Sequence, residues 1–141
     1  MGLIGGAFSV IGAVIVSHGK LAVELLSSAE TIVGKIDHMR AVSIGWYDDV
    51  DMARKQIADA IVSVDDGQGV LILTDMFGGT PTNLAMTFLD THKVEVLTGV
   101  NLAMVIRVAN QKPGETLKLL AKKTKEQGQN SIYLASEILN A

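Results

Sequence analysis

The sequence predicts an α/β protein with a doubly wound, mostly parallel open sheet and helices on both faces. Short apolar runs alternate along the chain with longer segments of helical periodicity, which favours strand-helix units and a parallel sheet. The run at 70–74 is apolar without alternation, as is typical of a central parallel strand buried on both faces. The flavodoxin-like form of this fold has the strand order 2-1-3-4.

Each element has its own signal. A β-branched run ends at His18, and turn or cap residues separate the later segments. Thr80 is predicted as an N-cap, with Pro81 at the first helical position. The predicted helices are 19–33, 50–64, 80–92, 102–109 and 115–126. The predicted strands are one ending at residue 18, then 40–46, 70–74, 94–98 and an antiparallel edge strand at 131–134.

Length and composition limit the class of protein. The 141 residues suit one domain, predicted at 11–141 after an N-terminal extension at 1–10. No cysteine is present, which excludes disulfides, zinc-thiolate sites and a cysteine nucleophile. The net charge of -3 favours protein or small-molecule partners and gives no reason to expect nucleic acid.

The uncharged opening stretch resembles a targeting segment only superficially. It lacks a basic n-region, and His18 and Lys20 interrupt it before the roughly 20 apolar residues that span a bilayer. We therefore expect a buried strand here and a cytoplasmic protein.

The sequence also predicts a site at the switch point of the sheet. His18 and Asp75 each end a predicted strand, and the strand order makes those two strands neighbours. If Asp75 accepts the Nδ1 proton of His18, the tautomer is fixed and the Nε2 lone pair faces outward. The imidazole is then an oriented nucleophile or base.

The segment after Asp75 suits an anion. Gly78, Gly79 and Thr80 precede a helix, whose first backbone N–H groups favour negative charge. Together with the histidine, this arrangement would attack, hold and release a phosphoryl group. Alternatively, the three residues only start the helix.

Other ligand classes are poorly supported. The glycines match neither a Walker A loop nor a dinucleotide fingerprint, so no cofactor is expected. His38 and His92 lack metal-ligand spacing, so no metal is expected. Met76 and Phe77 either fill the core or form an apolar rim for a partner protein.

Three segments carry a family resemblance: VIVSHGKLA at 14–22, GVLILTDMFGGTPTN at 69–83 and GVNLAM at 99–104. In order and spacing they resemble the mannose-class IIA domain of the bacterial phosphoenolpyruvate-dependent sugar phosphotransferase system. The chain departs from the family pattern at Ala103, where the family usually has proline, and in its first ten residues.

The resemblance implies a phosphocarrier. His18 matches the histidine that takes a phosphoryl group on Nε2 from the phosphocarrier protein HPr and passes it to a IIB component. Asp75 matches the aspartate that orients this histidine, and Gly78, Gly79 and Thr80 match the backbone phosphate cradle. It also implies a homodimer that exchanges the strand at 131–134 between subunits, and membrane contact only through IIC and IID components.

Two alternatives stay open from the sequence. No IIB domain follows in the sequence, so we expect a stand-alone IIA, which would serve transport or regulation; a regulatory binding module would not use His18 for transfer. The related phosphocarrier domain of bacterial dihydroxyacetone kinases shares the histidine. The Gly19-Lys20 pair and the segment at 99–102 favour the mannose class.

Overall fold

The computed structural model describes residues 3–4, 7–45, 48–90 and 93–140. From residue 12 onward, strands and helices alternate up to the fourth strand of the main sheet, after which three helices follow. The strands are β1 (Leu3–Ile4), β2 (Ala7–Phe8), β3 (Gly12–His18), β4 (Met39–Ile44), β5 (Val70–Thr74) and β6 (Val94–Leu97). The helices are α1 (Leu21–Val33), α2 (Val50–Val64), α3 (Thr80–Met86), α4 (Leu102–Ala109), α5 (Leu117–Asn130) and α6 (Ala135–Leu139).

The main sheet has four strands in the order β4-β3-β5-β6, and every neighbouring pair is parallel. Numbered along the chain, these strands have the order 2-1-3-4, so the predicted fold class and strand order are confirmed. β1 and β2 pair with each other as a separate antiparallel sheet. Because β3 lies between β4 and β5, the carboxyl ends of β3 and β5 are adjacent at the switch point.

Helices cover both faces of the main sheet. Side chains of a strand alternate between faces, so Ala13 and Ile15 pack with α1, α4 and α5, while Val14 and Val16 pack with α2 and α3. All five residues of β5 are buried, as predicted for a central strand. This two-sided burial makes the carboxyl ends of β3 and β5 a rigid platform for side chains beyond them.

The start of α3 corrects one prediction. The N-cap is Gly79, not Thr80, and Pro81 is the second helical residue. The reason is that the Gly79 carbonyl already accepts a bond from the Asn83 N–H at 2.9 Å, which makes Gly79 the first acceptor of the helix. The predicted cap residue is therefore the first helical residue.

The end of α3 corrects a second prediction. The helix ends at Met86 rather than at residue 92. The N–H groups of Thr87, Phe88 and Leu89 bond to carbonyls three residues back, which tightens the chain out of the α-helical path. His92 lies outside the described residues, as do Trp46 and Tyr47 of the predicted second strand and its loop.

The predicted antiparallel edge strand at 131–134 is wrong for the single chain. Within the described ranges these residues belong to no strand, and the main sheet stops at β6. α5 continues to Asn130, and the Ser131 hydroxyl donates to the Gln127 carbonyl at 2.6 Å. The segment then leaves the helix with Ile132, Tyr133 and Leu134 exposed. Beta-branched and aromatic residues gave the strand signal, but such residues form a strand only where the segment pairs with a neighbouring strand, and this segment does not reach one.

Candidate functional site

His18 and Asp75 are in direct contact at the carboxyl edge of the sheet. His18 is the last residue of β3, and Asp75 follows β5 directly. The His18 Nδ1 lies 2.7 Å from Asp75 Oδ2, and the His18 backbone N–H donates to the same oxygen at 2.9 Å. The Met76 N–H donates to Asp75 Oδ1 at 2.9 Å. Both oxygens of the carboxylate thus accept hydrogen bonds, and Oδ2 is the one that contacts the His18 ring.

The pair is asymmetric in exposure. The His18 side chain is 49% exposed, whereas the Asp75 side chain is 10% exposed. Burial raises the pKa of Asp75, but the hydrogen bonds from the His18 backbone and ring, the positive charge that the ring carries when protonated, and the Met76 N–H outweigh burial and hold the pKa below its usual value. Asp75 is therefore an ionised acceptor at neutral pH. In the neutral form of the His18 ring this places the proton on Nδ1 and leaves the Nε2 lone pair free.

Gly79 lies directly against the histidine ring. A Cβ added there would lie 2.6 Å from His18 Cε1 and 3.1 Å from His18 Nε2, so a side chain would displace the ring. Gly78 has φ of +91°, in the left-handed region that glycine adopts at little cost. The structure thus brings Gly79, the N-cap of α3, beside the outward nitrogen of His18.

A cleft of about 500 Å³ opens beside His18. Thr80 lines it together with an apolar wall from β4, α2 and α3. That wall consists of Ile44, Val50, Ala53 and Leu84. The cleft therefore combines the His18 ring with a largely apolar wall and the carboxylate of Asp48.

Met76 and Phe77 are exposed. The Phe77 side chain is 76% accessible and Met76 is likewise open to solvent, so the alternative in which they fill the core is wrong. They follow Asp75 directly and precede Gly78. The loop beside the histidine therefore carries an exposed apolar pair.

Sequence reasoning missed three buried hydroxyls around this edge. Ser17, fully buried, accepts from the Ala22 N–H at 2.6 Å and donates to the His18 carbonyl at 3.1 Å. Thr82 contacts both Thr74 and the Met76 carbonyl. The sequence signal was a hydroxyl residue near the end of each apolar run, Ser17 and Thr74, and a third, Thr82, in the first turn of α3.

His38 is apart from this site. His38 directly precedes β4 and so lies at the amino end of that strand, whereas His18 lies at the carboxyl end of β3. The His38 Nε2 is 3.4 Å from the Val108 carbonyl oxygen. His92 lies outside the described residues. Over the residues that the structure describes, no group of three or more His, Cys, Asp or Glu side chains is arranged to hold a metal ion. Likewise, none of the helices in those residues is long and apolar enough to cross a membrane.

Comparison with known proteins gives consistent relatives. The chain is 28% identical over 130 residues to the fructose-specific EIIA component of the phosphotransferase system of Bacillus subtilis, covering 92% of this chain and 89% of the relative. It is 32% identical over 102 residues to the mannose-specific EIIAB component of Escherichia coli, covering 68% of this chain but 30% of that longer protein.

A solved structure agrees with these relatives. The mannose/sorbose-specific IIA subunit from Enterococcus faecalis superposes with a TM-score of 0.79 at 31% identity, covering 89% of this chain and 94% of that one. The sequence model of the EIIA-man family, described as the PTS system fructose IIA component, matches residues 12–125. With most of its length matched and the same fold, this chain belongs to the EIIA-man family of phosphotransferase-system IIA components.

Proposed function

We propose that this protein is a cytoplasmic phosphocarrier that accepts a phosphoryl group from phospho-HPr on His18 and passes it to a IIB component. One observation carries the proposal: Asp75 binds the Nδ1 side of a half-exposed histidine that lines the cleft, which leaves Nε2 as the ring nitrogen available for reaction. Family membership supports the choice of phosphoryl transfer over other uses of an oriented imidazole.

The transfer step needs no proton to leave the ring. The Nε2 lone pair forms a bond to phosphorus while the bond from phosphorus to the donor's histidine nitrogen breaks, and the donor ring keeps that electron pair. The His18 ring then carries positive charge with its proton still on Nδ1, and the Asp75 carboxylate at 2.7 Å stabilises that charge. Passing the group to a IIB nucleophile reverses these events. Catalysis is then mostly positioning and electrostatics.

Gly78, Gly79 and Thr80 form the proposed phosphate cradle. A Cβ at position 79 would lie 3.1 Å from His18 Nε2, so a side chain there would compete with a phosphoryl group for the space beside that nitrogen. The first turn of a helix carries backbone N–H groups without intrahelical acceptors, which suit phosphate oxygens. The exposed Met76 and Phe77 supply an apolar rim against which donor and acceptor proteins would pack.

The proposed test is phosphorylation by phosphoenolpyruvate, enzyme I and HPr. The parent protein should gain an acid-labile, base-stable label, and His18→Ala should gain none. His38→Ala is the matched control, because it removes a histidine that is remote from the cleft, and it should label like the parent. Label retained in His18→Ala, or no label on a folded parent beside a competent control acceptor, would contradict the proposal.

We also propose that the protein is a homodimer that exchanges the segment 131–134. In the single chain this segment exposes three adjacent apolar side chains, and β6 is an edge strand of the main sheet. An edge strand presents unpaired backbone groups that an added strand would satisfy. Separately, we propose that the protein contacts the membrane IIC and IID components only indirectly, through the IIB component.

Sedimentation tests the dimer. The parent should sediment as a dimer at micromolar concentration. Tyr133→Lys should shift the equilibrium toward monomer, because it places a charged side chain in the exchanged segment. Val62→Lys is the control, since it places the same charge on an exposed apolar position of α2. A monomeric parent, or equal effects of the two variants, would argue against exchange.

A further inference from the structure

Thr82 lies in a buried hydrogen-bond network whose other members flank Asp75. It is the third residue of α3, and its side chain is 1% exposed. Its hydroxyl oxygen lies 2.8 Å from the hydroxyl oxygen of Thr74, which is fully buried, and it also contacts the Met76 carbonyl. The two partners are the residues immediately before and after Asp75.

The chemistry of these groups fixes the direction of both bonds. A carbonyl only accepts, so the single Thr82 proton goes to the Met76 carbonyl. The Thr74 hydroxyl must then donate to the Thr82 oxygen. Thr74 is anchored from another side as well, because its carbonyl accepts from the Val100 N–H at 2.9 Å. The Thr82 hydroxyl therefore accepts from Thr74 and donates to Met76, the two neighbours of Asp75.

Asp75 depends on those neighbours for its orientation. Its Oδ1 accepts from the Met76 N–H, and its Oδ2 accepts from His18. If the Met76 residue rotates, the carboxylate turns with it and the bond to the His18 ring lengthens. The bond to Thr82 holds the carbonyl of the same residue and so limits that rotation.

We propose that Thr82 is a positioning residue: its hydroxyl fixes the segment 74–76 so that Asp75 selects the Nδ1–H tautomer of His18. The effect of Thr82 on the tautomer is argued from the contacts alone. The effect of Thr82 on phosphoryl transfer rests on the function proposed above. Thr82 touches neither the reacting nitrogen nor a phosphoryl group in this account. It acts through Asp75.

A purely structural role for Thr82 gives a different expectation. Any loss of a buried hydroxyl partner destabilises a protein, because the Met76 carbonyl and Thr74 hydroxyl are left unpaired. Stability therefore does not separate the two roles. The tautomer of His18 does, since a packing residue has no reason to move the ring proton from one nitrogen to the other.

The experiment compares Thr82→Val with Thr82→Ser by 15N NMR of the histidine ring at about pH 8, above the ordinary titration of imidazole. Signals of His18 are assigned by their loss in His18→Gln. Thr87→Val is the matched control: its hydroxyl also donates to a backbone carbonyl, that of Leu84, but it has no link to segment 74–76. Transfer from phospho-HPr is measured on the same samples.

Thr82→Val should mix the two tautomers and slow transfer roughly tenfold, the rate equivalent of one lost hydrogen bond. Thr82→Ser and Thr87→Val should keep the parent spectrum and rate. Parent-like nitrogen shifts in Thr82→Val, or equal changes in Thr82→Val and Thr82→Ser, would overturn the proposal. If Thr82→Val does not fold, Thr74→Val replaces it, with a smaller shift expected because the Thr82 bond to Met76 survives.

The NMR arm also separates this proposal from the proposed function. A parent that shows the Nδ1–H tautomer but takes no phosphoryl group would contradict phosphoryl transfer and leave the role of Thr82 intact. A parent that is phosphorylated, with Thr82→Val unchanged in both readouts, would contradict the role of Thr82 alone.

Discussion

Two carboxylates in this protein have nearly the same local bonding but different surroundings. Asp75 accepts from the His18 ring at 2.7 Å and from the His18 backbone, and Glu115 accepts from Arg107 Nη2 at 2.6 Å and from the Lys112 backbone. In both, hydrogen bonds and charge hold the pKa below its usual value against the opposing effect of burial. The partner of Asp75 is 49% exposed, whereas Arg107 is 17% exposed and Glu115 itself 8%.

The difference indicates which pair has chemistry to perform. Imidazole keeps a second nitrogen with a lone pair after one nitrogen is bonded, and half of the His18 side chain faces solvent. Guanidinium has only donors, and the Arg107–Glu115 pair is largely buried where α4 meets the turn before α5. A low carboxylate pKa alone therefore does not mark the functional pair; the accessible lone pair of the base does.

The largest expected effect is on stability at the enclosed pair. Glu115→Gln should lower the free energy of unfolding by about 3 kcal/mol, because it leaves the Arg107 charge buried without a counter-charge. Chemical denaturation measures this, with Glu126→Gln as the control, since Glu126 pairs with Lys123 at 3.9 Å on the exposed face of α5 and should change little. Transfer by folded Glu115→Gln should match the parent. Equal stability of the two variants would contradict the assignment.

Asp75→Asn should instead act on transfer. An asparagine amide can donate to Nδ1, which would move the ring proton to Nε2 and occupy the nucleophilic lone pair, so the rate should fall roughly hundredfold. Asp59→Asn is the control, because Asp59 pairs with Lys55 on the surface of α2. The readout is the rate of labelling from phospho-HPr. An unchanged rate in Asp75→Asn would remove Asp75 from the mechanism.

Gly79→Ala should slow transfer by about tenfold through crowding. Its Cβ would lie 2.6 Å from His18 Cε1, so the ring must swing away and weaken its bond to Asp75. Gly128→Ala provides the contrast, since its Cβ would meet Met104 Sδ at 2.5 Å between α4 and α5, and no atom of the His18 ring is among its nearest neighbours. It should lose stability and keep its transfer rate once folded. Labelling kinetics normalised to folded protein would contradict the account if Gly79→Ala transferred as fast as the parent.

The smallest expected effect is on how the free energy of unfolding changes at acidic pH. A carboxylate whose pKa is depressed in the folded state contributes stability that is fully present above its unfolded pKa of about 4 and lost as pH falls through the folded value. The stability difference between parent and Glu115→Gln should therefore be constant at neutral pH and shrink below about pH 4. Denaturation at a series of pH values measures it. A difference that grows on acidification would contradict the sign.

The sequence was sufficient for the parts of the fold that depend on local pattern. The non-alternating run of β5 and the run ending at His18 predicted adjacent parallel strands, and that adjacency brings Asp75 to the ring. Met76 and Phe77 had two interpretations because apolar composition does not say which way a loop faces. Their exposure was settled only by the packed structure.

The wrong predictions share a physical cause. The N-cap at Gly79 and the end of α3 depend on which carbonyl a given N–H reaches, which side-chain type alone does not specify. The segment 131–134 has strand-forming residues but does not pair with either edge strand of the main sheet in the single chain, because residue type does not specify where a segment pairs. Likewise, the Thr82 network and the Arg107–Glu115 pair join residues from separate elements, and single-sequence patterns carry no such contacts.

The position of the phosphoryl group on the His18 ring tests the central claim most directly. The protein would be phosphorylated through HPr and its histidine ring examined by 15N and 31P NMR. Because Asp75 occupies Nδ1 and leaves Nε2 without a hydrogen-bond partner from Asp75, we predict a single phosphohistidine with phosphorus bonded to Nε2 of His18. A phosphoryl group on Nδ1, or on any other residue, would contradict it.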